Sequence, residues 1–285
     1  MINVLKNIIR CLLSIAVLLF ISRPALQGAE YDKKDVVSFE IVNGLILLPL
    51  SVDGQTGNYI LDSGVSSLIL NQPDVRSSVL FSAIGHDIPA LPTEVNHLMI
   101  GSVEDRNVHA WQMDLAFVER LINRKIDGLI GIDFLLNHDV FIDYGTQELT
   151  FISDVSELKV FDPLSYQTVG LPIEIHNQTI PVVSAQVDGK NYRMIFDTGA
   201  ALNVLYNKRP DDKVTRLTIE MNGLVVDNAQ FITDDFANFD PSFAKAIDGI
   251  MSATSLNADS MIISLRSRKI LLFYKQQEDS VAALH

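Results

Sequence analysis

MIFDTGAALNVL, residues 194–205, places a carboxylate, Asp197, at the end of an apolar run (Met194, Ile195, Phe196) and follows it with Thr198, Gly199 and Ala200. A buried strand that ends in a bare acid is costly unless the acid has a partner. Laying the chain against itself finds one. SVDGQTGNYILDSGVSSLIL (Ser51–Leu70) matches QVDGKNYRMIFDTGAALNVL (Gln186–Leu205) without a gap at a shift of 135 residues. Val52, Asp53, Gly54, Ile60, Asp62, Gly64 and Leu70 fall on Val187, Asp188, Gly189, Ile195, Asp197, Gly199 and Leu205, and Ser63 falls on Thr198. The partner acid is Asp62.

A second block repeats too. IDGLIGIDFLLNHDVFIDYGTQELTF begins at Ile126 and IDGIMSATSLNADSMIISLRSRKILLF at Ile247, a shift of 121. The two halves therefore share one plan. The first half carries 14 extra residues, all between Leu70 and Asn107.

The pattern is mostly β. ILLPLSVDG and IPVVSAQVDG are short apolar strands ending in Asp-Gly turn signals, with YILD and RMIFD as the returning strands of two hairpins. VFIDYGTQELTFI and MIISLRSRKILLF each predict a further strand–turn–strand. Short helices are expected around GIDFLLN and SATSLN, and no stretch has a long helical period. The boundary between halves is expected near residue 163, giving halves of 30–163 and 164–285.

The first 29 residues are read as an export leader. Lys6 and Arg10 precede the apolar run CLLSIAVLLFI, which is short for a membrane span, and small residues follow at Gly28 and Ala29. This predicts a periplasmic or secreted protein, attached to a membrane only if the leader stays uncleaved. Cys11, the one cysteine, lies inside the leader, so stability must come from packing rather than disulfides. A hydrophobic content of 48% supplies that packing, and a net charge of −13 argues against nucleic acid and anionic membrane surfaces as partners.

Two acids at matching positions of a duplicated unit can meet where the halves meet. Two carboxylates in contact cannot easily both ionise, so they share a proton. One then serves as base toward a bound water while the other, protonated, polarises a carbonyl. Gly64 and Gly199 permit close approach of the opposite half. Ser63 and Thr198 offer hydroxyls that can lock the two turns together.

LDSGV and FDTGA, each after an apolar strand, with a later hydrophobic-hydrophobic-Gly element (GLIG), resemble the aspartic peptidases. The similarity is greatest to retropepsin-like lobes of exported bacterial proteins, fused in tandem as in the two-lobed pepsins. It spans nearly all of residues 36–275. The resemblance implies an all-β fold of two retropepsin-like β-barrel lobes about a pseudo-twofold axis. It implies Asp62 and Asp197 as the catalytic pair, with Ser63, Gly64, Thr198 and Gly199 supporting the turns. An aspartic endopeptidase acting on peptide or protein substrates is the expected function. No cofactor and no metal are expected, and the chain is expected to be a monomer.

The extra residues of the first half contain VLFSAIG, a turn signal at Gly85–Asp87, and IPALPTEV. Residues 79–95 are expected to form a hairpin, with Pro89 and Pro92 restricting pairing on its return arm. In the resembled family a hairpin here is the flap over the bound peptide. Three positions depart from the motif or from the repeat: Val65 after Gly64, Ser252 opposite Gly131, and the absence of the Asp143–Gly145 turn from the second half. The alternative function, a peptide- or protein-binding homologue that does not cut, turns on Val65 and Ser252, which lie near the expected support of the two acids. The six histidines show no metal-ligand spacing, and Trp111 is read as a core residue.

Overall fold

The computed structural model describes residues 36–77, 79–83, 86–152, 165–176, 180–207, 209, 211, 213–235 and 243–276. The expected leader and the expected boundary near residue 163 lie outside the described residues. The chain is all-β with short helices. The first half runs β1 (Val36–Ser38), β2 (Glu40–Val42), β3 (Leu45–Val52), β4 (Gln55–Leu61), β5 (Leu68–Asn71), β6 (Leu80–Ala83), β7 (His86–Ile100) and β8 (Val103–Met113), then helix α1 (Ala116–Ile122), β9 (Gly128–Ile130), helix α2 (Ile132–Asn137), β10 (Asp139–Asp143) and β11 (Glu148–Ile152). The second half runs β12 (Tyr166–Pro172), β13 (Glu174–His176), β14 (Ile180–Val187), β15 (Lys190–Asp197), β16 (Asn203–Tyr206), β17 (Thr215–Met221) and β18 (Leu224–Asp234). Helix α3 (Phe243–Ala246), β19 (Gly249–Ser252), a 3-10 turn at Ala253–Leu256, β20 (Ser260–Ser264) and β21 (Lys269–Lys275) complete it.

The repeat in sequence is a repeat in topology. One sheet has the order β2-β3-β4-β9-β5-β8-β7-β6, and another has β13-β14-β15-β19-β16-β18-β17. Strand for strand these are the same order, with β6 the one addition. Each closes on itself, through β3–β7 in the first and β14–β17 in the second. The Asp-Gly turns help the closure. Asp53 and Asp188 have φ of 48° and 47°, and their carboxylates accept the N–H groups of His97 (2.9 Å) and Thr218 (2.9 Å) on the closing strands. These aspartates are therefore turn residues with a structural task.

A third sheet, β1-β11-β10-β20-β21-β12, is built from both halves. Its central strands β10 and β20 are antiparallel, with Phe141 opposite Ile262, flanked by Val140 opposite Ile263 and Ile142 opposite Met261. Phe141 and Ile262 are counterparts in the repeat, so the strand pairs with its own copy. One apolar core runs through both halves, from Leu48, Leu61 and Ile142 to Val183, Phe196 and Met261. Each such side chain contributes about 1.5–3 kcal/mol by leaving water, and together they replace the disulfides the chain lacks.

The extra residues of the first half form β6 and the first part of β7. Leu80 pairs with Pro89 and Ala83 with His86, so the expected hairpin is present; its tip, residues 84–85, lies outside the described residues. The two prolines do not interrupt β7. Pro92 sits opposite Trp111, and between the prolines the Ala90 N–H donates to the Val79 carbonyl at 3.0 Å. The expected helices follow β9 and β19. Helix α1 was not expected: it carries Phe117, Val118 and Leu121 against a second apolar cluster that includes Ile60, Ile69 and Trp111.

Candidate functional site

β4 and β15 each pair in parallel with the strand of a Gly-containing block. Leu61 stands beside Ile130, and Asp197 beside Ser252. The parallel pairing fixes where each strand ends, so that Asp62, just after β4, and Asp197, the last residue of β15, both reach the junction of the halves. Asp127 and Asp248 secure this register: their carboxylates accept the N–H groups of Asn58 (2.7 Å) and Arg193 (2.8 Å).

The two turns grip each other. The Ser63 N–H donates to Thr198 Oγ1 at 3.0 Å, and the Thr198 N–H donates to Ser63 Oγ at 3.0 Å. Ser63 Oγ in turn donates to the Phe196 carbonyl at 2.9 Å, and Thr198 Oγ1 donates to the Leu61 carbonyl at 2.8 Å. Each hydroxyl thus spends its one proton on the opposite strand and accepts from the opposite turn. Both side chains are buried. In such a dry place each bond is strong, and each unpaired group would be costly.

The grip brings the acids together. A methyl on Gly199 would lie 2.2 Å from Asp62 Cγ, and one on Gly64 would lie 2.6 Å from Asp197 Oδ2. Each carboxyl therefore rests on the opposite glycine, which is why neither position takes a side chain. The Gly64 N–H donates to Asp62 Oδ1 at 2.9 Å, and the Gly199 N–H to Asp197 Oδ1 at 2.8 Å. Asp62 and Asp197 also share a hydrogen bond with each other, and both remain partly exposed.

Burial pushes the Asp197 carboxyl well above the usual carboxylate range, and the neighbouring Asp62 charge pushes it further. The Gly199 and Gly64 N–H groups offset only part of this. Asp62 is also raised by burial, but the Gly64 N–H, the bond from Asp197 and the Val65 N–H pull it back. Both carboxyls are thus raised by burial, Asp197 further because the Asp62 charge faces it, and the two titrate as a pair.

Of the three departures noted in the sequence, two are compensated in the structure. In the first half the Ile132 N–H donates to the Val65 carbonyl at 2.9 Å. In the second half the Ser252 hydroxyl donates to the counterpart carbonyl, Ala200, at 2.7 Å. In the first half Asp143 Oδ1 accepts the Thr146 N–H at 3.0 Å; in the second, Ser264 Oγ accepts the counterpart N–H of Ser267 at 3.2 Å. Val65 itself packs partly buried in the cluster that holds Trp111 and Phe117. Trp111 thus lies against apolar neighbours, as a core residue would.

Sequence reasoning missed Asn203, a fully buried amide whose Oδ1 accepts the Ser252 N–H at 3.0 Å. The available signal was its counterpart in the repeat, Leu68, an apolar residue. Among the described residues there is no group of three or more His, Cys, Asp or Glu side chains arranged to hold a metal, and no helix long and apolar enough to cross a membrane. No family model matches the chain, and no curated protein matches it.

Proposed function

We propose that the chain is a two-lobed aspartic endopeptidase, its lobes related by a pseudo-twofold axis that passes between Phe141 and Ile262 and between the turns of Ser63 and Thr198. The observation that carries the proposal is the reciprocal Ser63–Thr198 grip; it supports reading the two carboxyls it brings together as a pair that shares one proton.

The chemistry follows from that proton. Ionised Asp62 takes a proton from a water lying between the acids, and the water oxygen forms a bond to the carbonyl carbon of an extended peptide. Asp197 gives its proton to the carbonyl oxygen, so the adduct is neutral. Asp62 then gives its proton to the nitrogen while Asp197 takes back a proton from an adduct hydroxyl, so that the C–N bond breaks, a carboxylic acid and an amine leave, and the pair returns to its starting state. No covalent enzyme intermediate forms. The β6–β7 hairpin acts as a lid that covers the bound peptide and excludes water. With the leader of residues 1–29, the site of action is outside the cytoplasm. The non-cutting alternative needs a displaced turn at Val65 or Ser252, and the ties at Val65 and Ala200 count against it.

The test is cleavage of an unfolded polypeptide across pH 3–8, with products mapped by mass spectrometry. Endoproteolytic cuts that are blocked by a peptide carrying a secondary alcohol in place of the scissile amide support the proposal. Intact substrate throughout this range would overturn it.

A further inference from the structure

The two acid turns have the same shape and are held by different means. In the first half the turn after Asp62 is tied through the backbone, by Ile132 N–H to Val65 C=O (2.9 Å) and Asp133 N–H to Ser66 C=O (3.0 Å). A side chain at Gly131 has no room, since its Cβ would lie 2.5 Å from the Ser67 carbonyl oxygen. In the second half the position opposite Gly131 is Ser252, which is fully buried. Its hydroxyl bonds Ala200 C=O at 2.7 Å and meets Thr254 Oγ1 at 3.0 Å. Its N–H donates to Asn203 Oδ1 at 3.0 Å, and its carbonyl accepts the Ser255 hydroxyl at 2.7 Å. Ser255 Oγ also lies 3.0 Å from Asn203 Oδ1, and Asn203 Nδ2 donates to the Gln230 carbonyl at 3.0 Å. The amide is thereby fixed at both ends.

We infer that Ser252, braced by Asn203 and Ser255, is a positioning residue for Asp197. This rests on reading Asp62 and Asp197 as a pair that shares a proton. The route is short. Ser252 holds the Ala200 carbonyl, which belongs to the same turn as the Gly199 N–H, and that N–H donates to Asp197 Oδ1 at 2.8 Å. Where Ala200 sits decides how well the N–H stabilises the charged form of the acid. Removing the hydroxyl leaves a buried carbonyl without its donor and lets the turn relax. The bond to Asp197 then lengthens, and the ionised form of Asp197 loses support. The turn after Asp62 keeps its own ties, from the Ile132 and Asp133 N–H groups, and reaches Ser252 only through the second turn. The turn after Asp62 is thus tied by main chain, and the turn after Asp197 by a side chain.

The experiment compares wild type, Ser252→Ala and Ser255→Ala by carbon-13 NMR titration of aspartate carboxyls, with the Asp197 signal identified by its loss in Asp197→Asn. Peptide cleavage is measured on the same proteins. Ser252→Ala is expected to move the Asp197 titration upward by about half to one pH unit and to move the alkaline limb of kcat with it. kcat falls about tenfold or more while KM stays within about twofold. Ser255→Ala, which keeps the Ser252 hydroxyl, gives a smaller shift in the same direction and serves if Ser252→Ala does not fold. A residue needed only for folding would lower stability and leave both the titration and the pH limb in place. Titrations that superimpose on wild type in the folded variants overturn the inference. If the wild type cuts no peptide, the functional proposal fails, while the titration still decides this one.

Discussion

Ser63 and Thr198, 135 positions apart, exchange backbone-to-hydroxyl bonds of 3.0 Å in both directions. The exchange makes each turn a condition of the other. Thr198→Val keeps the side-chain shape but leaves the Ser63 N–H and the Leu61 carbonyl unpaired in a buried place. The expected loss is about 1–3 kcal/mol for each group. Thr198→Ser, which restores the first-half pattern, is expected to stay close to wild type. Urea unfolding of the two variants checks this, and equal stability for both would show that the grip contributes little.

Gly199 lies against Asp62 with no room for a side chain between them. Gly199→Ala places a methyl 2.2 Å from Asp62 Cγ, so the acids must separate. Cleavage is expected to fall by at least about 100-fold. Gly54→Ala is the control: it is strained by a φ of +83°, has nothing within 4 Å of the new methyl, and lies in the Asp53–Gly54 turn. It is expected to cost about 1 kcal/mol of stability and little activity. Activity retained in Gly199→Ala would contradict the contact.

The raised Asp197 carboxyl makes stability depend on pH with a definite sign. A folded-state value above the unfolded one means that the native state holds a proton the unfolded chain has released. This acid therefore costs stability as pH rises from the ordinary carboxylate range through the raised value. Asp197→Asn removes that cost. Its melting temperature is expected to exceed that of wild type near neutral pH, and the gap should close below about pH 4. Thermal melts at several pH values test this; a gap that is constant with pH would place its origin elsewhere.

Much of this arrangement is visible in the sequence, because duplication turns single residues into matched pairs. Asp62 with Asp197, Ser63 with Thr198, and Gly64 with Gly199 stand out by alignment of the chain to itself. The short helices after the two IDG blocks follow from the same alignment. Helix α1 does not, since seven residues are too few to show a period and Leu115 before it supplies no side-chain cap. The β10–β20 pairing joins strands more than a hundred residues apart, and the apolar alternation of each says nothing of which strand lies beside it. Ser252 looked like a defect because its partner, Ala200, is 52 positions away. Pro89 and Pro92 predict restricted pairing on the return arm, yet β7 runs through both: Ala90 between them gives its N–H to Val79, and Pro92 lies past the end of β6.

Among the described residues the β6–β7 hairpin has no counterpart in the second half, where β17 corresponds to the last part of β7 alone. Leu80 and Leu91, 52% and 45% exposed, give this hairpin an apolar surface that the rest of the half does not need for its core. Replacing residues 72–93 with a segment of the length found between β16 and β17 is expected to leave both barrels folded. KM for a peptide should rise about tenfold or more, because the lid's contacts are lost. Unchanged KM and kcat in a folded deletion variant would show that the hairpin is not a lid.

The most direct test of the paired acids is the rate of peptide cleavage by Asp62→Asn, Asp197→Asn and the double variant, each measured from pH 3 to 8 with protein freed of contaminating proteases. The account requires that either single change lower kcat by at least about 1,000-fold, since one side chain must accept a proton while the other gives one. The double change should add little to either single loss, because the two residues act as one unit. Wild type should be most active where the pair holds a single proton, and neither asparagine variant should recover at any pH. Cleavage that persists in the double variant at a rate near wild type would contradict it.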